Sequence, residues 1–228
     1  MSFPITIVDN FFPDPDSIVD LANTLDFEYT TDGRWPGSRT KTLDKIQRKD
    51  VYDFAQYSLC KINALYWSKP RKEIEISMGE LGFQKIKPFV KNKEDQFKSI
   101  NKGWVHRDNV ILGGLVYLTK NPQEHTGTSI YKPKKGYFNF HRDHLSYKEQ
   151  HYVEQNVNEN EYNKAYELSN EYYEETINVK NVYNRLLLFD GLSFHAAQTF
   201  GYGDKDRLIF NIFLDSHYPG LAPLLRER

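Results

Sequence analysis

The tripeptide His-Arg-Asp occurs twice in the chain, at His106-Arg107-Asp108 and at His141-Arg142-Asp143. In an extended segment residues i and i+2 project to the same side. Either copy therefore offers an imidazole nitrogen and a carboxylate oxygen to one point, which is metal-ligand chemistry. Two ligands hold a divalent ion poorly, so a third must come from elsewhere. His195 is the candidate, just after the apolar run Leu186–Phe189 in "LLLFDGLSFHAAQTF". Two imidazoles and one carboxylate on one face of an ion leave the opposite positions open, a donor set suited to non-haem iron(II) with a chelating cosubstrate and dioxygen. If the chelator is a dicarboxylate, its far end needs a fixed cation, and the planar fork of arginine binds a carboxylate bidentately. Arg207 opens the apolar run "RLIFNIFL", 12 positions beyond His195. A guanidinium there is costly if buried without an anion. Its plainer alternative is a strand-end ion pair with Asp204 or Asp206.

The two His-Arg-Asp copies have different downstream neighbours. After Asp108 comes the apolar "VILGGLVYL"; after Asp143 comes a polar stretch. The first copy is therefore the expected metal site, with His141 and Asp143 left to a structural place or to a substrate rim with His144. A kinase catalytic loop is excluded. It would need Asn where Gly113 stands, together with a glycine-rich loop and Asp-Phe-Gly, and none is present.

These residues need elements to hold them. "FPITIVDN" reads as a short strand. Asp14 can cap a helix with Pro15 at its first position, and Ile18, Leu21, Ala22 and Leu25 share its face. Thr30–Lys41 ("TTDGRWPGSRTK") reads as loop; Arg34, Trp35 and Arg39 within it are candidates for a substrate lid. From about Asp50 to Trp67, Val51, Phe54, Ala55, Leu59, Ile62 and Tyr66 keep helical spacing, with Cys60 as a small hydrophobe beside them. Short β-type runs then dominate: "EIEIS", "FQKIKPF", "WVHRD", "VILGGLVYL", "GTSIY", "YFNFH", "RLLLFD", "HAAQTF" and "RLIFNIFL". Many short strands separated by turns predict a sandwich or barrel. Between them His144 to Glu175 reads as a polar helical insertion docked through Ala165, Leu168 and Tyr172. An antiparallel hairpin from His195 to Arg207 would turn Arg207 inward with Ile209, Asn211 and Phe213.

Composition narrows the class. The 228 residues include 16 Tyr and 15 Phe, enough aromatic content for a packed core. A net charge of -1 provides no field to recruit nucleic acid. A single cysteine excludes an internal disulfide and fits a reducing cytoplasm. The N-terminus lacks the basic region of a signal peptide, and no apolar run approaches a membrane span.

Taken in order, "HRD", "VYLT", "GTSIY", "LLLFDGLSFHAA" and "RLIFNIFL" resemble the iron(II)- and 2-oxoglutarate-dependent dioxygenase superfamily, in its prolyl-hydroxylase-like branch. The resemblance spans Gly103 to Leu214. It departs at Thr119, where Asn is common, and at His125-Thr126-Gly127-Thr128, with one Gly where two are usual. The resemblance implies a mainly β fold with flanking α-helices around a double-stranded β-helix, the cupin-like jelly roll. It implies one domain: helical support over residues 1–70, jelly-roll strands over 73–131 and 177–216, and the insertion over 132–176. It implies Fe(II) held by His106, Asp108 and His195, with Arg207 on the far carboxylate of 2-oxoglutarate and Tyr117 adding a hydrogen bond to it. Oxygen would be the oxidant, and 2-oxoglutarate would be decarboxylated to succinate and carbon dioxide as an unidentified small-molecule or peptidyl substrate is hydroxylated. An aspartate at 108 disfavours the superfamily's halogenases, which lack the carboxylate. Two other readings use the same residues: a cupin-like metalloenzyme without 2-oxoglutarate, which has no need of Arg207, and a non-catalytic jelly roll. Oligomeric state is not legible.

Overall fold

A computed structural model describes residues 5–66, 79–108, 110–134, 144–154 and 156–214. Its frame is a pair of antiparallel sheets. The larger has seven strands in the order β1-β8-β5-β10-β4-β3-β2, and the smaller has three in the order β7-β6-β9. The strands are β1 (Thr6–Val8), β2 (Glu28–Tyr29), β3 (Ser38–Arg39), β4 (Gly79–Ile86), β5 (Leu112–Tyr117), β6 (Thr128–Pro133), β7 (Tyr173–Val179), β8 (Leu186–Asp190), β9 (Phe194–Ala197) and β10 (Arg207–Leu214). The expected jelly roll is the fold observed.

Helices α1 (Pro15–Asn23) and α2 (Lys49–Tyr66) cover the outer face of the large sheet. The Asp14 carboxylate accepts from the Ser17 amide and caps α1, with Pro15 at the first helical position, as the sequence predicts. Val51, Phe54, Ala55, Leu59 and Ile62 of α2 are buried against Phe83, Val116, Leu188 and Phe210 of the sheet. Cys60 is half-buried beside them. Because side chains alternate along a strand, Leu208, Phe210 and Ile212 of β10 enter this outer core. Arg207, Ile209, Asn211 and Phe213 face the inter-sheet cavity.

Several elements differ from expectation. "WVHRD" forms no strand; His106 makes a single isolated bridge to His195. Thr30–Lys41 is not wholly loop, since Ser38–Arg39 pairs with β4 at Lys85 and Gln84. β9 and β10 form no hairpin. They lie in different sheets, β9 paired with β6 and β10 with β4 and β5. The Glu-rich end of the expected insertion is strand β7, whose exposed residues include Glu174 and Glu175. The "EIEIS" and "YFNFH" runs, with His141 and Asp143, lie outside the described residues.

The insertion does supply helices, α3 (His144–Glu149), a π-type turn over Gln150–Glu154, and α4 (Glu159–Asn170). It docks through Tyr162, Ala165 and Tyr166 around Trp104, while Leu168 stays exposed at 57%. The Trp104 indole donates to the Tyr162 hydroxyl at 2.7 Å in a buried contact two residues before His106. Among the described residues, no helix is long and apolar enough to cross a membrane. Tyr162→Phe leaves the buried indole N–H without its acceptor, so chemical denaturation should show a loss of about 1–3 kcal/mol.

Candidate metal centre

Backbone pairing assembles the centre. The His106 amide donates to the His195 carbonyl at 3.0 Å and the His195 amide donates back to His106 at 2.8 Å. The Asp108 amide donates to the Gly191 carbonyl at 2.9 Å, in the turn between β8 and β9. That turn is closed by the Ser193 amide on the Asp190 carbonyl and by the Leu192 amide on the Asp190 carboxylate. Three side chains from two segments distant in sequence thus arrive together. Potential ligand atoms of His106, Asp108 and His195 all lie within 4.8 Å of one another, and they form such a group among the described residues.

The tautomers are set by neighbours. His106 Nδ1 lies 2.8 Å from the Trp104 carbonyl, and His195 Nδ1 lies 2.9 Å from the Ser193 carbonyl. A carbonyl can only accept, so both protons sit on Nδ1 and both Nε2 lone pairs are free. Those Nε2 atoms are 3.6 Å and 3.4 Å from the two oxygens of Asp108. A Cβ on Gly113 would stand 3.2 Å from Asp108 Oδ2, so glycine gives the carboxylate its room. Two neutral imidazoles and a carboxylate, each ring held from behind by a carbonyl, fit a divalent first-row metal with open positions.

The centre opens on a cavity of about 130 Å³ between the sheets. His106 faces this space, its side chain 42% exposed, while His195 is buried against Phe189. Removal from bulk water holds the His106 imidazole well below its usual 6.5, and His195, Lys148 and Arg39 press in the same direction against the Trp104 carbonyl.

Arg207 lies on the cavity wall, 4% exposed. Its Nε donates to the Thr126 carbonyl at 2.9 Å, tying the large sheet to the loop before β6. Its Nη2 is buried with no hydrogen-bond partner among the described residues. The expected alternatives do not hold it: Asp204 pairs with Lys91, and Asp206 makes no described ion pair with Arg207. Burial pulls the guanidinium down, opposed by Tyr117. Tyr117 is fully buried and does not line the cavity. Its hydroxyl donates to Thr128 Oγ1 at 2.8 Å, and its ring centroid is 5.6 Å from the guanidinium carbon of Arg207. Its contacts therefore support Arg207 instead of reaching into the cavity. Thr119, the departure from Asn, accepts the Leu208 amide at 2.8 Å and fixes the start of β10.

Sequence reasoning did not foresee Lys148 and Tyr152, which line the cavity from α3 and the turn after it. Their polar surroundings in the chain read as solvated surface. Lys148 is 7% exposed, and burial lowers its ammonium to about 8, opposed by Asp108. Arg34, Trp35 and Arg39, singled out as a lid, do line the cavity. Burial lowers Arg39 to about 10, opposed by the carboxylates of Asp108 and Glu80.

The sequence model of DUF6445, a family of unknown function, matches residues 2–201. The chain belongs to the DUF6445 family. No curated protein matches this DUF6445 chain. Among solved structures it is similar to a prolyl hydroxylase from Trichoplax adhaerens, solved with a hypoxia inducible factor peptide. Identity is 11%, the match covers 92% of this chain and 83% of that one, and the TM-score is 0.50. It is also similar to HygX from Streptomyces hygroscopicus, solved with nickel, 2-oxoglutarate and hygromycin B. Identity there is 13%, coverage 94% and 83%, and the TM-score 0.53. These likenesses establish for this DUF6445 member the jelly-roll fold of 2-oxoglutarate oxygenases, and they do not choose a branch.

The His106 shift has a consequence for stability. Its folded value lies below the unfolded value of about 6.5, so between the two the unfolded chain binds a proton that the folded chain refuses. The metal-free protein should hold this contribution above about pH 6.5 and lose it as pH falls below that value, by well under about 1.4 kcal/mol per pH unit because solvent screens the 42% exposed side chain. Urea melts at neutral and mildly acidic pH should show a smaller loss for His106→Gln than for the parent.

Proposed function

We propose that the chain is a single Fe(II)- and 2-oxoglutarate-dependent oxygenase domain that hydroxylates a small-molecule or peptidyl substrate. The observation that carries this reading is the pairing of the His106-Asp108-His195 group with a buried, partly unpartnered arginine on the same cavity. A metalloenzyme working without a dicarboxylate has no need of the free Nη2 of Arg207 on its cavity, and burying the guanidinium without an anion is costly.

His106 Nε2, His195 Nε2 and one Asp108 oxygen would hold the iron. When bound, iron and 2-oxoglutarate would supply an oxidant by decarboxylating the cosubstrate to succinate with dioxygen. The chain's own residues do the rest. Arg207 offers Nη2 to the far carboxylate while its Nε stays on Thr126. The Tyr117 ring and the Thr126 carbonyl fix the direction of the guanidinium. Trp104, Phe189 and Phe200 line the cavity and limit water around the reacting atoms. Asp108 fills the position that a halide would need. The His-Asp-His arrangement and the fold shared with HygX, which was solved with 2-oxoglutarate and nickel, support this assignment.

Removing Arg207 separates the oxygenase from a bare metalloenzyme. Isothermal titration of 2-oxoglutarate into the zinc-loaded protein should show Arg207→Ala weakened by about 2–5 kcal/mol, because a desolvated carboxylate is left unpaired. Arg207→Lys should keep charge but lose the fork, giving an intermediate loss. Zinc affinity should stay within a few-fold in both. Unchanged 2-oxoglutarate binding in Arg207→Ala would place the dicarboxylate elsewhere. His106→Ala should abolish iron binding and succinate formation together, checked by metal analysis and by succinate assay without added substrate.

A further inference from the structure

The cavity runs along the inner face of β10, and its two ends carry different cations. Arg207 opens the strand and Phe213 lies six residues on, about 20 Å along an extended chain. The Arg39 guanidinium sits 5.5 Å from the Phe213 ring centroid and 4.5 Å from that of Trp35. Arg39 is therefore at the end away from Arg207. Lys148 lines the same cavity, and its helix packs on Gly33, six residues before Arg39.

One continuous wall carries both residues. Gly33, at φ +69°, lies so near α3 that a Cβ would stand 2.5 Å from the Glu149 Cα and 3.0 Å from the Lys148 carbonyl carbon. Only glycine lets the segment leading through Trp35 into β3 pack this closely on the helix that presents Lys148. The wall is rich in unused donors. Arg39 Nε and the Trp35 indole Nε1 are buried without hydrogen-bond partners among the described residues. Lys148 makes no described ion pair and is 7% exposed. Arg34, at the rim, is already paired with Asp32 at 2.8 Å and is not among these donors.

Charge bookkeeping shows what is missing. The metal would be balanced by Asp108 and the near carboxylate of the cosubstrate, and Arg207 by the far one. Buried Lys148 and half-buried Arg39, whose Nε is buried, then remain as two positive charges without a described anion at hydrogen-bond distance. Buried cations require an anionic partner. We propose that the substrate bears an oxyanion group, a carboxylate or a phosphate, which is received by Arg39, Lys148 and the Trp35 indole while the rest of the molecule lies over the metal. This rests on the oxygenase reading and deepens it by assigning a substrate class. Trp35 and Phe213 flank the guanidinium, so the group next to the anion packs on aromatic faces.

The full chain, loaded with zinc and 2-oxoglutarate so that it cannot turn over, is titrated with three fluorinated probes and read by fluorine NMR. The probes are 4-fluorobenzoate, 4-fluorophenyl phosphate and the neutral 4-fluorobenzamide. At least one acid should bind about tenfold more tightly than the amide, and whichever acid is preferred separates carboxylate from phosphate. Arg39→Gln and Lys148→Gln should each weaken that acid about fivefold, with amide binding and 2-oxoglutarate affinity within about twofold of the parent. Arg39→Lys and Lys148→Arg, which retain charge, should recover most of the loss, and thermal melts confirm that all variants fold. The proposal is overturned if acids and amide bind alike, or if none binds. It is also overturned if the preferred acid keeps its affinity in both glutamine variants, since it would then be held by the metal. Titration of 2-oxoglutarate comes first: its failure in the parent contradicts the oxygenase reading, whereas normal cosubstrate binding without charge preference contradicts the oxyanion site alone.

Discussion

The candidate centre depends on two backbone hydrogen bonds. His106 and His195, 89 positions apart in sequence, exchange amide and carbonyl in one antiparallel bridge. The bridge brings the two ring centroids to 4.3 Å. A third bond, from the Asp108 amide to Gly191, sets the carboxylate between them. Because these contacts are main-chain, they do not depend on side-chain rotamers. The carbonyls of Trp104 and Ser193 then orient each ring within its own segment. The site is preorganised by local geometry, and the rest of the fold serves to hold two short segments at hydrogen-bonding distance.

What holds them differs on the two sides. His195 is carried by β9, inside the small sheet through β6. His106 has no strand of its own and rests on Trp104, which is clamped by Tyr162 and Tyr166 of α4. The inserted helices therefore stabilise the less regular half of the centre and also contribute the cavity wall bearing Lys148. Arg207 connects the sheets in a different way, with its strand in one and its Nε hydrogen bond to the loop leading into the other. Withdrawing Lys148, Arg207 and part of Arg39 from water beside the His106-Asp108-His195 group is electrostatically expensive without anions. That cost is a reason to expect anions in it.

Much of this was legible in the chain because it rests on period and capping. The α2 stripe, the Asp14-Pro15 start of α1 and the alternation of β10 follow from rules in which one residue reports on its own neighbours. The candidate group of His106, Asp108 and His195 was legible as residue types in a β-rich context. Four things were not. The 104–108 segment looks like a strand, yet its partners permit one bridge only. The interval from His195 to Arg207 suggests a hairpin, but the chain crosses between sheets, and sheet membership is a long-range property. β7 is hidden because both its polar residues and those of the preceding helix are Glu-rich. Lys148 was missed for a related reason: a lysine in a polar stretch is normally solvated, and only the packing of α3 against Gly33 reveals that it is buried.

The most direct measurement of the central account is an anaerobic optical titration of the full chain with Fe(II) and then 2-oxoglutarate. If the His-Asp-His group holds iron with adjacent open positions, and 2-oxoglutarate chelates there, a weak metal-to-ligand charge-transfer band should appear in the visible region. It should require both components and saturate at one equivalent of iron. Iron binding without any such band, or a band that persists when His195 is replaced by alanine, would contradict it.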